Sequence, residues 1–525
     1  MNASLFKRDC GILMHPTSLP NDFGVGDFGP SAHQWLDLLA KAKQNIWQIL
    51  PLNPAGYGDS PYQGLSAFAT NPVFLSPDDL HQNGLLLDHE LFALQVRGDS
   101  AVDYPRVYEN KAECSVRAAH RFYQLEAEHP LQQEFARFIE READWVHDFA
   151  LYAALKNRFA NTAWTTWPAP YRDRHADALE SAKLELKNDI ARVRFEQFFL
   201  RRQWDSLRAH ARELGIRIVG DLPIFVAHDS ADVWCRRDLF RLNADGSPSV
   251  VAGVPPDYFS ATGQRWGNPL YDWEAHAADG YAWWRARMWK ILNWVDVVRI
   301  DHFRGFEAFW EIPGDAPTAE NGQWVKAPGR EVFGKFVEDF GKPLPVIAED
   351  LGVITEAVVQ LREDFDLPGI RIEQFAFGSD PMKHTFLPDS YRANCVAYTG
   401  THDNDTVVGW FNETANESST RSEAELAAER ANVLEYFGTD GSEIHLSFVR
   451  SLYLSDAGAA VIPLQDLLGL GTDARMNTPG TESGNWGWRL LNFDSVREPF
   501  NYLSELTVDS GRGLTWSAPT RSAQQ

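Results

Sequence analysis

Eight short runs of consecutive apolar residues, many of them β-branched, recur along the chain, and most end in a polar or charged side chain. They are Gly11–His15, Ile46–Leu52, Ile216–Asp221, Val295–Asp301, Val346–Asp350, Ile370–Phe375, Cys395–Tyr398 and Ala459–Leu464. Continuous rather than alternating apolar runs mark strands buried on both faces of a parallel sheet. Segments with helical period lie between them. Ala32–Ala42 follows Ser31 as a candidate N-cap, and Phe195–Leu214 runs to Gly215. Tyr281–Trp294 precedes the fourth run, and Ser422 with Glu425 forms a capping box for a helix ending at Gly438. Strand then helix, eight times over, predicts an α/β fold of the (β/α)8 TIM-barrel type.

A bare barrel takes ~250 residues, and this chain has 525. The surplus is expected as insertions into one catalytic barrel spanning 1–525. The largest, about 67–194 between strands two and three, has helical segments at Glu109–Glu128, Leu131–Arg158 and Ser181–Asp189. A second, about 227–273, is rich in Gly, Pro and aromatics and reads as long loops over the active site. No separate C-terminal β-domain is expected.

Composition narrows the partners. A net charge of −24 repels phosphate backbones and anionic lipid heads, so neither nucleic acid nor a membrane surface is an expected partner. No window approaches the ~18 apolar residues of a membrane span. The N-terminus lacks the apolar stretch of a signal peptide. Cys10, Cys114, Cys235 and Cys395 are scattered, without zinc-ligand spacing. A cytoplasmic protein with reduced thiols is the expectation. The 19 Trp, 15 Tyr and 32 Phe either pack the core or line a long cleft whose ring faces suit sugars.

In such barrels the chemistry sits at the C-terminal ends of the strands. There the sequence places Asp221, Asp301, Glu349, Asp350, His15 and the run Thr401-His402-Asp403-Asn404. Any one acid can equally cap the helix that follows it, but so many on one rim point to a site. Metal hydrolysis would want HxH or HExxH, and phosphoryl transfer a GxxxxGK[ST] loop; the chain has none of these. Glycosyl transfer needs two carboxylates flanking a scissile bond and no further parts. Residues two apart on a strand share a side, so Arg299 reaches Asp301, and the cation favours an ionised, nucleophilic carboxylate. Glu349 follows Val346-Ile347-Ala348, where desolvation raises a carboxyl pKa and suits proton donation. The same spacing also fits a structural Arg–Asp pair with Glu349 merely solvated.

Longer motifs decide between these readings. Gly11-Ile-Leu-Met-His15-Pro-Thr-Ser-Leu-Pro20, Asp59-Ser60-Pro61-Tyr62-Gln63 and Gly220-Asp221-Leu-Pro-Ile-Phe225-Val226 come first. Pro255-Pro-Asp257-Tyr258-Phe259-Ser-Ala-Thr-Gly263-Gln264-Arg-Trp266-Gly267-Asn268-Pro269 and Arg299-Ile-Asp301-His302-Phe-Arg304-Gly305 follow. Ala348-Glu349-Asp350-Leu351-Gly352, Thr401-His402-Asp403-Asn404 and Arg475-Met-Asn477-Thr-Pro-Gly480 complete the set. With these, over nearly its whole length, the chain resembles the 4-α-glucanotransferase family (amylomaltases, or disproportionating enzymes), relatives of the α-amylases.

The resemblance implies a retaining double displacement on α-1,4-glucans, with Asp301 as nucleophile, Glu349 as acid then base, and Asp403 as a third carboxylate gripping sugar hydroxyls. For retention the Asp301 and Glu349 carboxyls should lie ~5–5.5 Å apart. By the same resemblance, Asp221, Arg299 and His402 contact the donor sugar, with Ser60 and Tyr62 as further groove surface. Asp257, Tyr258, Phe259, Gln264 and Trp266 belong to the loop over the acceptor side, where Tyr258, Phe259 and Trp266 stack an incoming ring. Asn477 lies in the groove, and Tyr57 stands near a second glucan site. His15 is either structural or part of the donor pocket, and His302 is a packed strand-end histidine or a site residue. The implied partners are maltooligosaccharides, amylose or glycogen, with glucose or a maltooligosaccharide as acceptor. No metal or organic cofactor is implied, and the form is the compact one without an appended starch-binding module. A hydrolase of the same clan and a non-catalytic glucan-binding protein are the alternatives.

Overall fold

The computed structural model describes residues 4–96, 98, 100–256, 262–379, 382–415, 421–481 and 483–513. In chain order the strands are β1 (Asp9–Leu13), β2 (Ile46–Gln48), β3 (Arg217–Pro223), β4 (Val250–Val254), β5 (Gln264–Pro269) and β6 (Val297–Asp301). They continue with β7 (Ala308–Pro313), β8 (Gln323–Lys326), β9 (Val346–Ala348), β10 (Gly369–Ile372), β11 (Cys395–Tyr398) and β12 (Ala459–Pro463). Eight of them close a parallel barrel in the order β1-β12-β11-β10-β9-β6-β3-β2. All eight apolar runs supply a barrel strand, so the (β/α)8 expectation holds.

The two faces of each strand separate as a period of two requires. Leu13, Val219, Val297, Ile347, Val396 and Val461 pack together inside the barrel. Ile218, Val298, Ile300 and Ala348 point outward into the larger core shared with the helices. The inner face continues past the packed layer to Asp221, Arg299, Asp301 and Glu349, so the interior register carries these side chains to the rim.

Between β2 and β3 the chain is helical. Its helices include Tyr104–Phe122, Pro130–Arg141, Val146–Arg158, Ala176–Glu185 and Lys187–Glu213. The expected Leu131–Arg158 helix is broken at residues 142–145. There Glu142 accepts a hydrogen bond from Trp145 Nε1 and pairs with Lys290, 2.5 Å away. The helix expected from Phe195 begins earlier, at Lys187, and runs to Glu213, burying Phe195, Phe199 and Trp204. The first helix starts at Pro30 with Gly29 as its cap, not Ser31, because proline is pre-set for the first helical turn. The capping box stands: Ser422 N–H donates to Glu425 at 2.7 Å, and Gly438 ends that helix at φ 60°.

Residues 227–273, expected as loops, contain β4 and β5. These join β7 and β8 in a four-stranded antiparallel sheet, ordered β5-β4-β7-β8. Its two hairpins leave the barrel after β3 and after β6, so the sheet stands beside the strand ends that carry Asp221 and Asp301. Gly253 explains the close pairing of β4 and β5: a Cβ there would lie 2.1 Å from the Gln264 carbonyl oxygen. Among the described residues no strand follows β12, and the last helix is Arg497–Asp509.

Candidate active site

Parallel register sets the site. Asp221 on β3 lies opposite Arg299 on β6, and Ile300 on β6 opposite Ala348 on β9. Asp301 and Glu349 are each one residue further on, at matching height on neighbouring strands.

Arg299 is the electrostatic centre. Its Nη1 donates to Asp221 Oδ2 at 2.6 Å, and its Nη2 to Asp301 Oδ1 at 2.9 Å. The Asp221 side chain is fully buried and that of Arg299 nearly so. Burial opposes the guanidinium charge, yet Asp221 and Asp301 more than offset it and hold Arg299 protonated. Burial pushes the Asp221 carboxyl up, against the pull of Arg299. Tyr62 donates its hydroxyl to the same Asp221 Oδ2 at 2.9 Å. Asp221 Oδ1 is buried without a hydrogen-bond partner among the described residues.

Glu349 is held by backbone. Its Oε2 accepts from His302 N–H at 2.7 Å and its Oε1 from Leu351 N–H at 2.8 Å. Burial, and then the negative charge of Asp301, raise its pKa to about 7, against the opposing effects of Arg299 and the two N–H groups. His302 adopts a left-handed conformation, φ 52°. Its ring is buried, which lowers its pKa to about 4, and it meets the Trp266 ring edge-on at 4.8 Å.

Across the mouth, Tyr62 and His402 stack with ring centroids 4.9 Å apart, and Trp486 leans on both at 5.8 and 5.9 Å. Asp403, next in sequence, accepts from Asn477 Nδ2 at 2.6 Å through Oδ1, and its Oδ2 lies 3.5 Å from His402 Nε2. A cleft of about 450 Å³ at the ends of β1, β11 and β12 is lined by His15, Ser18, Thr401, His402, Asp405 and Arg475. It adjoins the carboxylates through His402 but does not include Asp301 or Glu349.

Asp221, Arg299, Asp301, Glu349, His402, Asp403, Tyr62 and Asn477 therefore converge. Ser60 shapes the turn beneath Tyr62, its Oγ accepting the Tyr62 N–H at 3.3 Å. Trp266 and Gln264 lie on β5, joined by a 3.1 Å hydrogen bond. Asp257, Tyr258 and Phe259 lie outside the described residues. Tyr57 opens a short 3₁₀ turn, and only its backbone is described. His15 packs against Phe74 and accepts the Leu50 N–H at 3.3 Å; burial, then the neighbouring His402, lowers its pKa to about 3.

Asp350 does not join the carboxylates, although it follows β9 directly after Glu349. One residue of offset turns it outward, where it accepts from Ile370 N–H and lies 3.5 Å from Arg371. Trp486 and Arg475 join the site without a local sequence signal of their own. A lone Trp in a Gly/Asn-rich loop carries no sequence signal, and Arg475 stands out only as the first residue of the motif that ends in Gly480. Among the described residues no group of three or more His, Cys, Asp or Glu is arranged to hold a metal ion.

Two carboxylates flank the mouth. One is fixed by a guanidinium, and the other is raised to about 7 beside the first. This arrangement can run nucleophilic and acid–base chemistry on a single bond.

Comparison with known proteins agrees with the geometry. The sequence model of the family described as 4-alpha-glucanotransferase matches residues 14–494. A 4-alpha-glucanotransferase of Synechocystis sp. is 46% identical over 509 residues, covering 96% of this chain and 98% of the relative. One from Thermus thermophilus is 47% identical, covering 92% and 95%. A solved amylomaltase from Streptococcus agalactiae, in complex with acarbose, superposes with a TM-score of 0.90 at 36% identity, covering 97% of this chain and all of the other.

Proposed function

The chain belongs to the 4-alpha-glucanotransferase family, and from that premise we propose that Asp301 and Glu349 carry out a retaining double displacement on α-1,4-glucans. The activity itself is transfer of glucan segments from a donor to the 4-hydroxyl of an acceptor. The observation that carries the assignment of roles is Glu349, raised to about 7 by burial and by Asp301, on the strand next to an Asp301 fixed by Arg299.

In the first half, the Asp301 carboxylate attacks the anomeric carbon while Glu349 protonates the departing glycosidic oxygen. The carbon–oxygen bond breaks and a glucosyl ester of Asp301 forms. Esterification removes the Asp301 charge, one of the two causes that raise Glu349. The Glu349 pKa then falls, and the carboxylate becomes the base for the second half. An acceptor 4-hydroxyl attacks the same carbon, its proton passes to Glu349, and the ester bond breaks. A long donor can fold back and offer its own end, which yields a cyclic glucan.

Asp221, Arg299 and His402 grip the donor sugar in this reading. The unpartnered Asp221 Oδ1 supports it, since a sugar hydroxyl would satisfy a buried acceptor that is otherwise costly. Asp403 binds and distorts the ring at the bond being cut. Trp266 and Gln264, on the strand beside His302, serve the acceptor, glucose or a maltooligosaccharide, together with Asp257, Tyr258 and Phe259. The protein works in the cytoplasm. Four unpaired thiols, three of them buried, support a reducing compartment, and no helix among the described residues is long and apolar enough to cross a membrane.

The test is a product profile from pure maltotriose. Glucose with maltopentaose and longer chains, all lost in Asp301→Asn, is the expected result. Glucose and maltose alone would make water the acceptor and overturn transfer.

A further inference from the structure

We infer that Arg475 is a positioning residue for Asp403: it staples the loop after β12 to the loop after β11 and so fixes the carboxylate where the sugar is cut. The inference rests on the reading of Asp403 as the sugar-gripping acid.

Asp403 occupies an exposed place. It follows β11 by five residues, precedes the short helix Val407–Phe411, and its side chain is 49% exposed. A carboxylate there keeps its rotamer only if something outside its own loop holds it. The Arg475 guanidinium supplies this with two arms. Nη2 donates to the main-chain carbonyl of Asp403 at 2.6 Å, and Nε donates to the carbonyl of Asn477 at 2.7 Å. Asn477 completes the link, its Nδ2 donating to Asp403 Oδ1 at 2.6 Å and its N–H to the His402 carbonyl at 3.1 Å. The staple is anchored from behind. Met476, between Arg475 and Asn477, accepts the Trp486 N–H at 2.6 Å, and the Trp486 ring rests on Tyr62 and His402.

The chemistry requires arginine. A planar guanidinium donates along two fixed directions at once, whereas an ammonium is a compact charge on a flexible stem. Arg475 does not touch the Asp403 carboxylate, so it acts through the carbonyl and through Asn477. Displacing a catalytic group by about 1 Å can cost on the order of a hundredfold in rate. Ground-state contacts made elsewhere in the groove would survive such a displacement.

The experiment compares wild type, Arg475→Lys, Asp403→Asn and the double variant in maltotriose disproportionation. Arg475→Lys should lower kcat about 10- to 100-fold with KM within about threefold. The pH limb set by Glu349 should stay put, since His302 and Leu351 hold that acid. In the Asp403→Asn background the same change should cost under about threefold, because coupled residues are not additive. Arg475→Lys keeps charge and stem and is the variant for kinetics; thermal melting beside it separates rate loss from unfolding. A kcat within about twofold of wild type, a loss confined to KM, or additive losses in the double variant would each overturn the staple. An Asp403→Asn enzyme with wild-type kcat would instead overturn the role given to Asp403, and the staple with it. A wild type making no longer chains would overturn the transfer reading.

Discussion

The backbone N–H of His302 lies 2.7 Å from Oε2 of Glu349, so the residue that follows Asp301 holds the carboxyl on the next strand. The left-handed turn at His302, φ 52°, sends the chain from β6 into the 3₁₀ turn Phe303–Phe306 and aims that N–H across the mouth. Asp301 and Glu349 are thereby tied through one peptide unit, and the buried, neutral His302 ring fixes that unit against Trp266.

This sets the pH dependence. In the proposed mechanism Glu349 must hold a proton to assist the leaving oxygen, and its pKa is about 7. Above that value kcat/KM should fall about tenfold per pH unit. Glu349→Gln should lose turnover of maltotriose yet still release fluoride from an α-maltosyl fluoride, whose leaving group needs no proton. A basic limb that persists unchanged in that variant would assign the titration elsewhere.

Stability should move the opposite way in Glu349→Gln. A carboxyl raised from 4.5 to about 7 holds its proton in the folded chain where the unfolded chain releases it. Wild type therefore loses stability as pH climbs from ~4.5 to ~7 and pays a burial cost above that. The Gln variant should melt about 1–3 °C higher at pH 8 and level with wild type at pH 4. Parallel melting curves at the two pH values check this.

Arg299 neutralises a fully buried Asp221. Arg299→Met should cost about 3–5 kcal/mol in denaturant unfolding, because it leaves that carboxylate uncompensated. Asp221→Asn added to it should recover part of the loss, and simple additivity of the two would contradict the pairing.

Tyr62→Phe keeps the stack on His402 and removes only the hydroxyl given to Asp221. A hydrogen bond to a charged group contributes about 1.5–3 kcal/mol. Denaturant unfolding should show a loss of that order, and a stability equal to wild type would contradict the bond.

The barrel was legible because buried parallel strands write continuous apolar runs, and the strand-end polar residues of those runs became the rim. Asp301, Glu349 and Asp221 could be read for the same reason. Asp350 stays off that rim because successive strand residues take opposite faces, so the neighbour of an inward Glu349 turns outward to the Ile370 N–H. The β4–β5 and β7–β8 sheet was hidden by Gly- and Pro-rich stretches, although Ala308–Pro313 is apolar and aromatic enough to have signalled a strand. Trp486 and Arg475 act through contacts between loops far apart in sequence, which no local pattern encodes.

The central claim is a covalent glucosyl ester on Asp301. A maltotriosyl fluoride lacking the terminal 4-hydroxyl can donate but cannot accept, so it should trap the intermediate in Glu349→Gln. Peptide mass mapping should find one maltotriosyl-type adduct per chain, on the peptide carrying Asp301 and absent from Asp301→Asn. An adduct on Asp403, or turnover with inverted anomeric configuration and no adduct, would contradict the account.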